Sequence, residues 1–202
     1  MDQIEQVLRM GLGIKDDGLV QTGMTVSYVR YLSKGEYLAR QDDTLPGVVF
    51  LVNGLFRFFY LGSDGREHTD CFCENSGYPI TPAIDLDTPL PVNIQALEDS
   101  SVVVIPTIFI QTLLENNVEV IRLYNQMLKI SLTQHWEDKM ALHQFDALNR
   151  YEWFLQRYEG LIDRIPHIHI ASFLGISPVT LSRLRRKKKS EEIGRSDAKG
   201  LL

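Results

Sequence analysis

Between residues 28 and 106 the apolar residues fall in short runs, each closed by a turn signal. Tyr28-Val29-Arg30-Tyr31-Leu32 stops at Ser33-Lys34-Gly35, and Tyr37-Leu38 stops at Gln41-Asp42-Asp43. Gly47 opens Val48-Val49-Phe50-Leu51-Val52, which ends in Asn53-Gly54. An aromatic-rich run from Leu55 to Leu61 follows and closes at Gly62-Ser63-Asp64-Gly65. Asn-Gly and Asp-Gly tolerate the positive φ that tight hairpin turns demand, so both sites predict hairpins. A later pair, Asn93 to Leu97 and Val102 to Ile105, turns at Glu98-Asp99-Ser100 and halts at Pro106. Short strands at this regular spacing predict an antiparallel sandwich or roll of the jelly-roll kind. Residues 77–93 contain Pro79, Pro82, Pro89 and Pro91. Each proline removes a ladder donor, so the stretch reads as loop, with Asp85 and Asp87 solvating it.

Elsewhere the period is helical. Residues 1–27 read as short helical pieces broken at Gly11–Gly13. Thr107 is placed to cap a helix carrying Phe109, Leu113 and Leu114. From Val118 to His143, Val118, Ile121, Tyr124, Leu128, Leu132 and Trp136 recur every three or four residues without Pro or Gly. Such a stripe either packs on its own sheet or forms the seam with a second copy of the same helix. A lone helix this long, joining a β domain to a small α domain, has little intrachain surface to cover it. The expectation is therefore a homodimer through this helix.

The chain is helical again after about residue 146 and ends in a compact motif. Ile168 to Arg186 reads as two short helices joined by a tight turn, a helix-turn-helix. Ala171 is small where the helices cross, and Gly175 supplies the left-handed backbone that ends the first. Ile170, Leu174, Ile176, Leu181 and Leu184 form an apolar wedge. Ser177 is a good N-cap, and Pro178 suits the first helical position because its missing N–H would be unpaired there anyway. With Leu181 and Leu184 turned inward, the opposite face carries Val179, Ser182, Arg183 and Arg186, flanked by Thr180 and Lys187. That face is small at its start and cationic beyond, which suits the major groove of double-stranded DNA. Arg183 is the candidate for a bidentate contact to guanine. Arg186, Lys187 and Lys188 would neutralise phosphates, and Ser177 and Thr180 would donate to them.

Charge sharpens this reading. The net charge of −5 by itself speaks against binding a polyanion, but it is unevenly spread. Residues 1–177 carry 13 basic and 23 acidic side chains, whereas residues 178–202 carry 8 and 3. Six of the seven residues from Arg183 to Lys189 are basic, so the chain would meet DNA by one end only. The predicted organisation is α+β. Residues 1–114 form the β-roll with its N-terminal helices, and residues 115–145 the dimerisation helix. Residues 146–189 form the helix-turn-helix domain, and 190–202 a basic and polar tail without fixed structure.

Three stretches resemble the Crp/Fnr family of transcription regulators, in the family's order. Phe50 to Arg57, with Asp64-Gly65-Arg66-Glu67, is similar to its paired roll strands. Gln95-Ala96-Leu97-Glu98-Asp99-Ser100 is similar to its last roll strands, and Ile170 through Arg183 to its DNA-reading motif. The resemblance implies a cyclic nucleotide-binding-like roll, a long dimerisation helix and a helix-turn-helix that reads a near-palindromic site. It also implies a small-molecule effector. Phe72-Cys73-Glu74 resembles the family's Phe-Gly-Glu turn, which makes Glu74, with Asn75 and Ser76 after it, the candidate ligand-facing group. The family's phosphate-gripping Arg-Ser/Thr-Ala segment is missing. Its arginine position falls at Leu90 and the next at Pro91, which has no N–H to offer. A cyclic phosphate would lose charge-assisted bonds there, so an effector other than cyclic AMP is expected. The basic end also lacks a clear β-hairpin wing.

No other chemistry competes strongly. Cys71 and Cys73 are the only cysteines and read as small buried hydrophobes on one strand face. His167-x-His169 is the only close histidine pair and adjoins the helix-turn-helix; no metal site or cofactor is expected. A nucleophile motif, a phosphate loop and a zinc signature are all lacking, so no enzymatic activity is expected. A cupin-like binding domain without DNA affinity is the alternative, but His68 is the only histidine in the predicted roll. No stretch approaches the ~18–20 apolar residues of a membrane span, and no signal-peptide core opens the chain, so a cytoplasmic protein without membrane contact is expected.

Overall fold

The apolar runs become seven strands: β1 (Tyr28–Leu32), β2 (Tyr37–Ala39), β3 (Gly47–Asn53), β4 (Phe56–Leu61), β5 (Glu67–Cys73), β6 (Asn93–Ala96) and β7 (Ser100–Pro106). They occur in a computed structural model that describes residues 2–74, 76–80 and 88–199, with side chains to residue 188 and at residue 190. Asn75, Pro82, Asp85 and Asp87 lie outside the described residues. One sheet has the order β1-β7-β3 and the other β2-β6-β4-β5, with antiparallel β1–β7, β3–β7, β2–β6 and β4–β6 pairs. Of the two predicted hairpins only the one at Asp64-Gly65 forms, between the neighbours β4 and β5. At Asn53-Gly54 the chain crosses from one sheet to the other, and β6 and β7 are likewise in different sheets.

Helices flank the strands. α1 (Gln3–Gln6) runs into a π-helical turn, Val7–Gly11, and α2 (Asp17–Val26) follows. The Asp2 carboxylate caps α1 by accepting the Ile4 N–H at 2.8 Å, and Asp16 caps α2 through the Leu19 N–H at 2.8 Å. α3 (Thr107–Asn116) and the 27-residue α4 (Val118–Gln144) come after the sheets. Thr107 does not cap α3, contrary to the sequence expectation. Pro106 occupies the cap position, so Thr107 is the first residue of the helix and its hydroxyl is not placed as a cap. Its own N–H, one of the donors the helix leaves unpaired, reaches the Pro46 carbonyl at 3.3 Å.

The chain divides into two units, residues 1–66 with 70–134, and residues 67–69 with 135–202. The division falls inside α4. In the first unit, β3 and β7 are buried on both faces, which explains why they read as unbroken apolar runs. Val49, Leu51, Val102 and Val104 face the interior between the sheets, with Phe56, Phe58, Ile94 and Leu90. Val48, Phe50, Val103 and Ile105 face a second core with Leu8, Leu12, Phe109 and Leu113 from the helices. Gly54 sits at φ +122° beside Ser100, where a side chain would strike the Ser100 hydroxyl. The stretch expected as loop is partly paired. The Gly77 N–H donates to the Leu51 carbonyl at 2.7 Å, the Leu51 N–H to the Tyr78 carbonyl at 3.1 Å, and the Ile80 N–H to the Val49 carbonyl at 2.7 Å. Pro79 is tolerated because this is an edge, where one missing donor costs no ladder bond. Cys71 and Cys73 are half-buried and pack against the inter-sheet core.

The second unit continues α4 and adds α5 (Ala147–Arg157), a 3-10 turn (Leu161–Asp163), α6 (His167–Phe173) and α7 (Pro178–Lys199). The α7 backbone therefore runs ten residues past 189, where the sequence reading ended it in a structureless tail. Lys, Arg, Glu and Ala dominate that stretch and are good helix formers, and Gly194 alone is too small an interruption to stop it.

Candidate nucleic-acid interface

The second unit is built on an aromatic cluster. Phe154 and Tyr158 near the end of α5 meet Phe173 of α6 at ring-centroid distances of 5.9 and 5.7 Å, and Trp153 stacks on Phe173 at 6.0 Å with planes 22° apart. Phe154, Ile170 and Leu174 are fully buried, and Ala171 is 1% exposed. α6 is thus fixed by its whole inner face.

The turn after α6 is a Schellman motif. Gly175 lies at φ +63°, its N–H donates to the Ser172 carbonyl at 3.2 Å, and the Ile176 N–H reaches back to the Ala171 carbonyl at 3.0 Å. Any side chain at 175 would be strained by that φ. Ser177 then caps α7: its Oγ accepts the Thr180 N–H at 3.0 Å and lies 2.9 Å from Thr180 Oγ1. Ser177 and Thr180 therefore spend part of their hydrogen-bonding capacity on each other. Leu181 is buried and Leu184 half-buried, while Ser177, Val179, Ser182, Arg183, Arg186 and Lys187 are exposed and Thr180 is half-buried. The structure places these seven candidate residues together on the outer side of α7.

The basic run is not uniform. Arg185 Nη1 lies 3.2 Å from His167 Nδ1 and its Nη2 lies 3.4 Å from Asp163 Oδ1. Lys188 Nζ lies 3.3 Å from Glu152 Oε1. Among the described residues neither Arg183 nor Arg186 has an acidic partner. Both line a shallow concavity with Lys187 and Ser190. His167 is exposed, as its position beside the motif suggested, and His169 is half-buried.

One buried charge supports the unit from α4. Asp138 is 7% exposed and accepts the Tyr158 hydroxyl at 3.2 Å, with Arg157 Nε at 3.6 Å. Burial raises its carboxyl above the usual carboxylate value, while Arg157 and the Tyr158 hydrogen bond pull the other way. A raised folded-state value means the folded state holds the proton more tightly than the unfolded state. Stability then falls as pH rises from the ordinary carboxylate value through the raised one. Asp138→Asn should flatten that fall, leaving an unfolding midpoint that varies less across this window. A parallel pair of pH profiles, read by tryptophan fluorescence, would discount the assignment. Nothing in the sequence pattern distinguishes Asp138 from a solvated acid, because its neighbours Arg157 and Tyr158 are distant in the chain.

Two of the three ligand candidates lie among the described residues. Glu74 is half-buried at the end of β5. Ser76 is exposed, and its hydroxyl donates to the Val52 carbonyl at 2.7 Å. Asn75 lies outside the described residues. Leu90, at the position implied for the phosphate arginine, is 5% exposed within the inter-sheet core, and Pro91 is exposed. No group of His, Cys, Asp or Glu among the described residues is arranged to hold a metal ion. No helix among them is long and apolar enough to cross a membrane.

Residues 29–117 match the cyclic nucleotide-binding domain. FixK2 from Bradyrhizobium japonicum superposes with a TM-score of 0.72 at 20% identity, over 83% of this chain and 87% of that one. The chain has the Crp/Fnr fold. A transcriptional regulator from Eubacterium rectale, assigned to the crp/fnr family, shares it at a TM-score of 0.68 and 17% identity, over 87% and 84% of the two chains. So does CLP from Xanthomonas campestris, a c-di-GMP-responsive global regulator, at 0.67 and 14% identity, over 88% and 93%. A search of curated proteins gives no match. In the Crp/Fnr fold of this chain, β1–β7 form the roll, α4 is the long helix, and α6 and α7 form the helix-turn-helix.

Proposed function

We propose that the chain is a homodimeric transcription regulator of the Crp/Fnr type, and not an enzyme. It reads a near-palindromic DNA site through Ser177, Val179, Thr180, Ser182, Arg183, Arg186 and Lys187. The observation that carries the reading is the outer face of α7. A rigid turn and cap present small residues first and two carboxylate-free arginines next, on a chain whose remainder is acidic. Arg183 is the base-reading residue, and Arg186 and Lys187 hold phosphates. Half-sites about one helical turn apart follow from two-fold symmetry.

Dimerisation through α4 is supported by its uncovered stripe: Leu128, Leu132 and Trp136 are 37%, 60% and 55% exposed. Leu132→Lys combined with Trp136→Ser should shift the protein from dimer to monomer in sedimentation velocity; an unchanged dimer would place the interface elsewhere. The effector bound by the roll domain is a small molecule other than cyclic AMP. In support, an apolar side chain and a proline stand where the cyclic phosphate needs a cation, and the inter-sheet space holds packed side chains.

The decisive experiment selects binding sites from genomic fragments and measures anisotropy at fixed moderate salt. Arg183→Ala should reduce preference for the selected site over random DNA by about 1–3 kcal/mol. Equal loss on both DNAs would remove its base-reading role. No binding to any fragment would overturn the regulator and favour a small-molecule-binding domain without DNA affinity.

A further inference from the structure

A cavity of about 300 Å³ lies on the outer side of the roll, between the N-terminal segment, the end of β3, residues 76–78 and α4. It is separate from the inter-sheet interior. That volume is at the lower end of ligand pockets. Val7, Leu123, Met127 and Ile130 supply its apolar wall. Its polar groups are amides and hydroxyls, from Gln3, Gln126 and Ser76 among others, and no charged side chain lines it among the described residues. Gln3 lines it, and its Oε1 is buried with no hydrogen-bond partner, a cost that a turn of the amide toward a donor in the cavity would relieve. The wall on the N-terminal side is the π-helical turn Val7–Gly11, a local irregularity of the kind often found at functional sites.

We propose that this cavity is a binding site for a small, neutral, amphipathic molecule with an apolar body and one N–H or O–H donor, which Gln3 Oε1 accepts. The neutral side chains of the described lining residues disfavour phosphates and carboxylates, whose desolvation they would not offset. Leu123, Gln126, Met127 and Ile130 share one face of α4. At 100° per residue that face is turned away from Leu128 and Leu132, with Tyr124 on its flank, so an occupant would not compete with a partner helix packed on those two leucines. The site stands independently of DNA binding.

The test uses N-phenyl-1-naphthylamine, a neutral aromatic probe with a single N–H whose fluorescence rises in apolar surroundings, added to the full chain. One saturable site per chain is expected. Gln126→Trp, at an exposed rim position, should abolish it by filling the mouth. Gln3→Leu should weaken it about tenfold by removing the acceptor. Tyr31→Ser, at a 72% exposed position on β1 outside the cavity and the α4 stripe, should leave it unchanged. Unfolding midpoints of all three variants establish that they fold. The proposal is overturned by the absence of a saturable signal, by binding that survives Gln126→Trp, or by binding lost in Tyr31→Ser. Affinity unaltered by Gln3→Leu overturns the donor chemistry.

Discussion

Phe154→Ala is expected to destabilise the second unit by about 3–5 kcal/mol, enough to unfold a marginal helical domain. Phe154 is fully buried and its ring lies 5.1 Å from Tyr158 and 5.9 Å from Phe173. Its removal deletes the transfer free energy of a whole ring and leaves a cavity. The surrounding rings belong to different helices and cannot close it without moving α6. Both tryptophans, Trp136 and Trp153, belong to this unit, so their fluorescence during urea unfolding reports on it without contribution from the roll. Val179→Ala is the natural comparison, since Val179 is 61% exposed and its truncation should fall within about 0.5 kcal/mol of no effect. A Phe154→Ala loss as small as that would mean α6 is held by something other than the aromatic cluster.

In the roll, the largest effect is expected at Gly54. Alanine there meets two separate penalties. The backbone at φ +122° is a region L side chains avoid, which costs of order 1–3 kcal/mol. The new methyl would also strike Ser100, whose Cα lies 2.8 Å from the Cβ position, adding about 1–3 kcal/mol of overpacking. Gly65→Ala separates the two terms. Gly65 is at φ +73° with nothing within 4 Å of a Cβ, so only strain of about 1 kcal/mol remains. Ser100→Gly in the Gly54→Ala background should restore part of the loss, because the hydroxyl leaves while the Ser100 backbone stays. Far-UV circular dichroism during urea unfolding, with hydrogen exchange of the β3 and β7 amides, reads all three. Equal losses at Gly54 and Gly65 would remove the steric term.

The two glycine turns show what the sequence makes legible. Asn-Gly and Asp-Gly encode positive φ locally, and the short apolar runs that flank them encode strands locally. Whether a turn joins two strands of one sheet, as at Asp64-Gly65, or carries the chain between sheets, as at Asn53-Gly54, depends on distant partners. The helix-turn-helix is legible for the same reason: Gly175, Ser177 and Pro178 each act within four residues of themselves. The long helix announces itself by an unbroken period. What was hidden depends on partners distant in the chain. Residues 77–80 become an edge only because β3 lies beside them. Thr107 falls one residue inside the helix it was expected to cap, and its own N–H is met by the Pro46 carbonyl, 61 residues away. Asn117, whose Oδ1 accepts the N–H groups of Glu119 and Val120 at 3.0 and 3.1 Å, starts α4 and was overlooked because no motif marks it. The outward set on α7 follows from helix geometry, but the pairing of Arg185 and Lys188 with acids 22 and 36 residues away does not.

Those two ion pairs change what the basic run is worth as a polyelectrolyte. Counted from the sequence, six cations within seven residues would release as many condensed counterions on meeting DNA, and affinity would fall with salt at a slope of about −0.9 per phosphate neutralised. Asp163 and Glu152 act as tethered anions that already occupy Arg185 and Lys188, so each competes with phosphate at a local concentration set by the fold. For the proposed DNA contact, the response to ionic strength is therefore shallower than the composition suggests. The share of binding that comes from shape and base edges is correspondingly larger.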